Sequence, residues 1–262
     1  MIYMLSMELF GTSLAIDDFP LSKHIVGLGL SDWDVYAEKL ATKFDYTNTF
    51  LDQDPRLDIR IPDDSLDGTV DFMIASDVFE HVPPPVSPCF KNARRMLKDH
   101  GVLIFSVPYT AGDGITKEHY PALYDFEIED RDGTRVLVNR TKAGAVEEFE
   151  DPVFHGGSGL TLEMRVFTES SLLEEFRRAA FEPVKVHRGP DFGHGIYWAV
   201  DWSLPMAARA GPMGARSWSG RGAGASRRRL GSPALKAAQR GAASSARVAT
   251  FGAHSSLPAT NE

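Results

Sequence analysis

The residues best placed to do chemistry lie in one short run, Ser76, Asp77, Glu80 and His81, within the segment DFMIASDVFEHV. His81 is the strongest candidate for a general base, because an imidazole with an unperturbed pKa of about 6.5 can exchange a proton near neutrality. An earlier group, Gly27, Gly29, Ser31 and Asp32, is of a different kind. Glycines let a ligand approach the backbone closely, and the start of the following helix offers unpaired N–H groups. Two further histidines, His119 in KEHYP and His155 in FHGG, could orient a second reactant. All these histidines fall on separate elements with no HxH or HxxxH spacing, so no metal site is expected. The single cysteine, Cys89, lies beside Pro88 and Phe90 at a helix start and reads as a packing residue, leaving no disulfide within the chain.

The elements that must hold these residues are legible around them. Phe72 to Ala75 and Val102 to Val107 form short continuous apolar runs, the pattern of strands buried on both faces of a parallel sheet. Between them Phe90, Ala93, Met96 and Leu97 recur at helical spacing, with Lys91, Arg94, Arg95 and Lys98 largely on the other side. His100-Gly101 is expected to stop that helix where a positive φ is wanted. In open parallel sheets ligands bind beyond the carboxyl ends of strands, where Ser76, Asp77, Glu80 and His81 fall. Upstream, Ile25-Val26, the GLGLSD turn and a helix from about Trp33 to Phe44, with Val35, Tyr36, Leu40 and Phe44 inward, repeat the strand, glycine turn, helix order. A strand around Tyr46 to Leu51 follows.

On these motifs the chain resembles the class I S-adenosylmethionine-dependent methyltransferases, in particular the methyltransferase type 11-like group acting on small molecules and glycans. The family pattern "fD.(V/I)..s.vleHv", then "R.LkpGG.l.f.vP", is met by Phe72, Ser76, Asp77, Val78, Phe79, Glu80, His81 and Val82, and by Arg95, Leu97, Lys98, Gly101, Val102, Phe105, Val107 and Pro108, with His100 in place of the first paired glycine. The string VFTESSLLEEFRRAAFEPVKV resembles the family's closing "ft...l..lL..aGF....v", with Ala180 in place of its glycine. The resemblance spans residues 23–205. It implies a doubly wound, mostly parallel, seven-stranded α/β sheet of Rossmann-like kind with a lid inserted after the fifth strand. It also implies S-adenosylmethionine as cofactor, bound by Gly27, Gly29, Ser31, Asp52, Asp58, Ser76 and Asp77. Asp58, in the segment Leu57-Asp58-Ile59 that resembles the family's third strand, stands 13 residues before Asp71 and would accept from the adenine amino group. Asp52 would take the ribose hydroxyls. The chain departs from the pattern at Ile25, where an acid is usual, at Ser31 in the third glycine's place, and at Phe50, where the ribose-binding acid is usual.

The remainder divides by composition. Residues 1–22 read as a short helix (YMLSMELFG) and a linker. Within the methyltransferase-like domain of 23–205, residues 109–165 form the lid, in which 135–140 and 145–149 alternate around Thr141-Lys-Ala-Gly144 as a hairpin. Thr168 caps a helix over 169–180, and Val184–Val186 and Ile196–Trp202 read as closing strands. Residues 206–262, rich in Ala, Gly and Ser with Arg227-Arg228-Arg229, read as a disordered basic tail.

Charge narrows the partners. Of 28 basic and 36 acidic residues, nine and one fall in 206–262, leaving 19 and 35 in 1–205, a net of −16. Such a surface disfavours nucleic acid. No apolar run approaches the roughly 18 residues of a membrane span, and the apolar opening carries Glu8 and no basic stretch, so a cytoplasmic protein is expected. A nicotinamide dehydrogenase would show GxGxxG, whereas Asp32 follows Gly29 by three. Methyl transfer to a small-molecule or glycan acceptor, with His81 or His119 as base, is the resulting expectation. A catalytically inactive methyltransferase-like binding protein is the alternative.

Overall fold

A computed structural model describes residues 1–155 and 161–212. Its central sheet is built from β1 (Ser22–Leu30), β2 (Phe44–Thr49), β3 (Val70–Ser76), β4 (Leu97–Ser106), and the later β13 (Phe181–Val186) and β14 (Met206–Ala210), in the order β13-β14-β4-β3-β1-β2. The four strands β2, β1, β3 and β4 run parallel, and β14 joins antiparallel to both β4 and β13. Alternation along the strands sorts side chains onto two faces. Met73, Ala75, Leu103 and Phe105 enter one apolar cluster, and Phe72, Ile74, Val102 and Ile104 the other. The first cluster is covered by α3 (Ser87–Met96) and α4 (Glu169–Arg178), the second by α1 (Ile2–Phe10) and α2 (Asp34–Lys43). Both faces of the parallel strands are therefore dry, which is why they read as continuous apolar runs.

The expected unit from Asp71 to Pro108 is present with small shifts. Helix α3, opened by Pro88 in its first turn, ends at Met96, and β4 begins at Leu97. His100 adopts φ +66° inside β4, at the point where the register with β3 slips. Arg94 is buried instead of solvated. Its guanidinium donates to the Leu97 carbonyl (3.0 Å), to Asp99 (2.7 Å) and to the Gly211 carbonyl, tying the helix end to the exit of β14. In α2 the inward residues are Ala37 and Leu40, while Val35 is exposed.

Three expectations are corrected. Among the described residues the central sheet has six strands, not seven, because Leu57-Asp58-Ile59 forms no strand. Between β2 and β3 the chain makes only a single bridge from Phe50 to Arg56, and prolines at 55 and 62 bracket the segment. The closing strand is Met206–Ala210, not Ile196–Trp202, whose Tyr197, Val200 and Trp202 are exposed. The boundary placed at 205 therefore falls short of the domain, because Met206, Ala207, Ala208 and Ala210 are buried between two strands. Alanines signal little apolar bulk, yet their small side chains suit a strand under helices on both sides. Arg227-Arg228-Arg229 lies outside the described residues.

The described residues of 109–168 form three small sheets. They comprise β5 (Tyr109–Thr110), β6 (Lys117–Glu118), β7 (Asp125–Arg131), β8 (Thr134–Arg140), β9 (Val146–Glu150), β10 (Phe154–His155), β11 (Thr161–Leu162) and β12 (Arg165–Thr168). The expected hairpin is β8-β9, extended by β7 into an antiparallel meander. Tyr120, Leu123, Leu137, Leu162 and Met164 give this insertion its own apolar cluster. Thr168 then caps α4 with a reciprocal Thr168–Ser171 capping box. No helix of the described residues is long and apolar enough to cross a membrane.

Candidate active site

The carboxyl ends of β1 and β3 frame a crevice, as the parallel order requires. On the β1 side the glycines do not form the turn: Gly27 and Gly29 lie within β1, paired across to Phe72 and Ile74 of β3, and the turn begins at Ser31 (φ +56°). A Cβ at Gly27 would stand 2.6 Å from Phe72 Cε1, and one at Gly29 2.5 Å from Asp32 Oδ2, so their missing side chains make room for this protein's own core and turn. Next to Gly29 sits a polar knot that the sequence did not reveal. Buried Asp32 accepts from the Tyr36 hydroxyl (2.7 Å) and from that of Tyr46, its N–H donates to Asn48 Oδ1 (2.9 Å), and its carbonyl accepts from Asn48 Nδ2 (2.8 Å). Burial pushes the Asp32 carboxyl up to about 6, against the pull of the two tyrosine hydroxyls. The same burial, reinforced by the Asp32 charge, raises both tyrosines. The i, i+4 placement of Asp32 and Tyr36 was the available signal.

On the β3 side Asp77 is exposed at φ +53°, its N–H donating to the Ser106 carbonyl (2.9 Å). Ser76 Oγ reaches both Ser106 Oγ (2.9 Å) and Asp77 Oδ2 (3.3 Å). The Asp77 charge also bears on Tyr36, on the β1 side. Asp52 lies on the exposed stretch 51–54 after β2. Asp58 is committed elsewhere: burial opposes its ionisation, but the Arg60 guanidinium at 2.6 Å and the Arg60 N–H hold its carboxyl below the usual range. Its other electrostatic neighbours are Arg56 and Cys89. The Cys89 thiol, pushed up to about 12 by burial, is the inert packing group expected.

Past Asp77 the chain makes a helical turn over Phe79–His81, which the returning lid segment grips along its length. Arg165 Nη1 donates to the Phe79 carbonyl (2.6 Å), the Met164 N–H to the Glu80 carbonyl (2.7 Å), and His81 Nδ1 lies 2.9 Å from the Leu162 carbonyl. His155 Nδ1, from β10, stands 3.1 Å from Glu80 Oε1, and its ring centroid lies 5.4 Å from that of His81. The bond to Glu80 raises the His155 pKa. His119, just after β6, lies alongside this returning segment, its Nε2 3.0 Å from Glu163 Oε1, one residue past Leu162. The two expected histidines are thus held by adjacent residues, Leu162 and Glu163. Glu80 and His155, which sequence spacing did not join, meet because the lid folds back. Nearby, an apolar cleft at the end of β4 is lined by Pro108, Tyr109, Ala111, Val166 and Trp202, with Asp201 at its edge.

Residues 15–105 match the family model of the methyltransferase domain, a span that includes the strand, the turn and the Asp77–His81 cluster just described. Over those residues the chain is similar to methyltransferase domains. Similar solved structures include the 1,6-didemethyltoxoflavin N1-methyltransferase of Burkholderia thailandensis, with bound 1,6-didemethyltoxoflavin and S-adenosylhomocysteine (TM-score 0.42, 19% identity, 74% of this chain and 72% of that one). A second is an S-adenosylmethionine-dependent methyltransferase of Clostridium acetobutylicum (TM-score 0.44, 12% identity, 80% and 97%). A third is the sugar N-methyltransferase KedS8 of a Streptoalloteichus species (TM-score 0.42, 10% identity, 72% and 81%). No curated protein matches the chain.

Proposed function

We propose that this protein transfers a methyl group to a small-molecule or glycan acceptor held between the strand-end crevice and the lid. The observation that carries this reading is a strand end bearing Ser76 and the exposed Asp77 carboxylate, followed four residues on by His81, whose ring the lid holds at Leu162, with His119 held at the next lid residue, Glu163. S-adenosylmethionine supplies an already activated methyl group on a sulfonium, so the protein's task is alignment and exclusion of water. An exposed carboxylate beside a hydroxyl fits a cofactor with a cationic end and ribose hydroxyls. On this reading Asp77, Ser76, Ser31 and Asp52 hold the cofactor, while Gly27 and Gly29 shape β1 and Asp58 shapes its own loop. The apolar cleft beside Trp202 gives the acceptor a face to lie against. Each candidate base has one ring nitrogen placed by the lid. His119 faces Glu163, and His81 keeps only Nε2 for proton exchange.

The space beside Gly27 and Gly29, filled by Phe72, Tyr46 and Asp32, favours the second reading, a methyltransferase-like binding protein without activity. Isothermal titration with S-adenosylmethionine, S-adenosylhomocysteine and NAD, followed by transfer of a labelled methyl group to a panel of glycan and small-molecule acceptors, separates the two. Saturable S-adenosylmethionine binding with label transfer supports the enzyme. Binding without transfer to any acceptor favours the binding protein, and no binding of either sulfur ligand overturns both.

A further inference from the structure

We propose that Glu80, His81 and His155 form a binding site for a divalent transition-metal cation at the junction of the crevice and the lid. One ligand atom from each residue lies within 4.8 Å of the other two. Glu80 Oε1 is 3.1 Å from His155 Nδ1 and 3.7 Å from His81 Nε2. With metal–ligand bonds of about 2.1 Å, neighbouring ligand atoms stand about 3.0 Å apart in an octahedral shell and about 3.4 Å apart in a tetrahedral one, and the observed 3.1 and 3.7 Å lie close to these values.

Two independent features call for a positive charge at this point. The Glu80 side chain is fully buried, and its Oε2 is buried without a hydrogen-bond partner, an expensive state for a carboxylate unless a cation compensates it. The second feature is the tautomer of His81. Its Nδ1 faces the Leu162 carbonyl, which can only accept, so Nδ1 carries the proton. Nε2 is then the ring nitrogen left facing the Glu80 carboxylate, 3.7 Å from Oε1, where a bound cation would be shared by both groups. An imidazole with one nitrogen donating to a backbone carbonyl and the other turned inward is how metal-bound histidines are commonly oriented.

The donor set, two imidazoles and one carboxylate, suits zinc, cobalt, iron or manganese rather than calcium. It leaves coordination positions open. Glu80 forms the buried wall, while the His155 and His81 side chains are 34% and 17% exposed, so the open side is reached from solvent. Asp77 and Glu163 add negative charge nearby. Taken with the methyltransferase reading, on which this consequence rests, an open position would hold an oxygen or nitrogen donor of the acceptor. His81 would then serve as a ligand, leaving His119 with Glu163 as the base.

The test uses the full chain, stripped with a chelator and dialysed, and titrated with cobalt(II) while visible absorption and heat are recorded. One cobalt per chain at micromolar affinity, with a d–d spectrum and a higher melting temperature, is expected. Glu80→Gln and His155→Ala should each weaken that uptake at least tenfold. His155→Ala, at a part-exposed position, guards against a folding failure of the Glu80 variant, and circular dichroism checks both. No saturable uptake by the wild type, or equal uptake in both folded variants, overturns the site. The titration needs no turnover, so loss of cobalt binding with S-adenosylmethionine binding intact removes the metal and spares the methyltransferase reading. The reverse result removes that reading and spares the metal.

Discussion

Arg165, on the strand that returns from the lid, donates from Nη1 to the backbone carbonyl of Phe79 at 2.6 Å, 86 residues earlier in the chain. Its Nε meets Glu118 at 2.7 Å, and the side chain is fully buried. One cation therefore clamps the lid to the turn that carries Glu80 and His81.

Replacing it should loosen the clamp. Breaking a buried ion pair costs ~3–5 kcal/mol, and because Glu118 keeps some contact with water, Arg165→Met should cost roughly 3 kcal/mol and lower the melting temperature by about 6–12 °C. Thermal denaturation by circular dichroism measures this. A melting temperature within two degrees of wild type would show that the clamp does not hold the lid.

Gly27→Ala tests whether that glycine serves the core. Its Cβ would push into the Phe72 ring, and overpacking of this kind costs ~1–3 kcal/mol. The double variant Gly27→Ala, Phe72→Leu should recover part of the loss in urea denaturation. Equal stability of the single variant and wild type would return Gly27 to the ligand side.

The pH dependence of stability carries two opposed contributions. Asp32, raised by burial from 3.8 to about 6, stabilises fully below pH ~4 and loses that contribution as pH rises through 6. Buried His187, lowered by desolvation from 6.5 to about 4, does the reverse: its contribution is present above pH 6.5 and is lost as pH falls through 4. Each is worth about 3 kcal/mol. Asp32→Asn should therefore show stability that climbs from pH 4 to 6.5, His187→Phe stability that falls over the same range, and wild type a flatter profile than either. Parallel profiles for the two variants would refute the assignment.

The end of the domain gives a sharper test. Truncation after Pro205 removes β14, which pairs with β4 and β13 and anchors Arg209 to Glu8 at 2.9 Å. This form should fail to fold cooperatively. Truncation after Pro212 should keep the melting temperature of the full chain. A cooperative transition in the shorter form would make β14 an accessory strand.

Much of the frame was legible because its signals are local. The apolar runs of β3 and β4, the helical spacing of Phe90, Ala93 and Met96, and the Thr168 cap each depend on residues a few positions apart. They therefore survive reading without coordinates. The position of Ser76, Asp77, Glu80 and His81 beyond a strand end follows from the same runs. The closing strand was hidden because Ala207, Ala208 and Ala210 have the composition of a flexible tail, and only burial against β4 makes them a strand.

The amino-acid sequence by itself determined the continuous apolar runs that make a buried parallel sheet and the segment where its chemistry lies. Tertiary structure decided what each site residue faces. Gly27 and Gly29 turned out to clear space for Phe72, Tyr46 and Asp32, and Asp58 to be neutralised by Arg60. Glu80 met His155 across 75 positions. Periodicity and capping act over one or two turns of chain, whereas charge pairing, burial and clearance depend on which distant segments the lid and the sheet bring within a few ångströms.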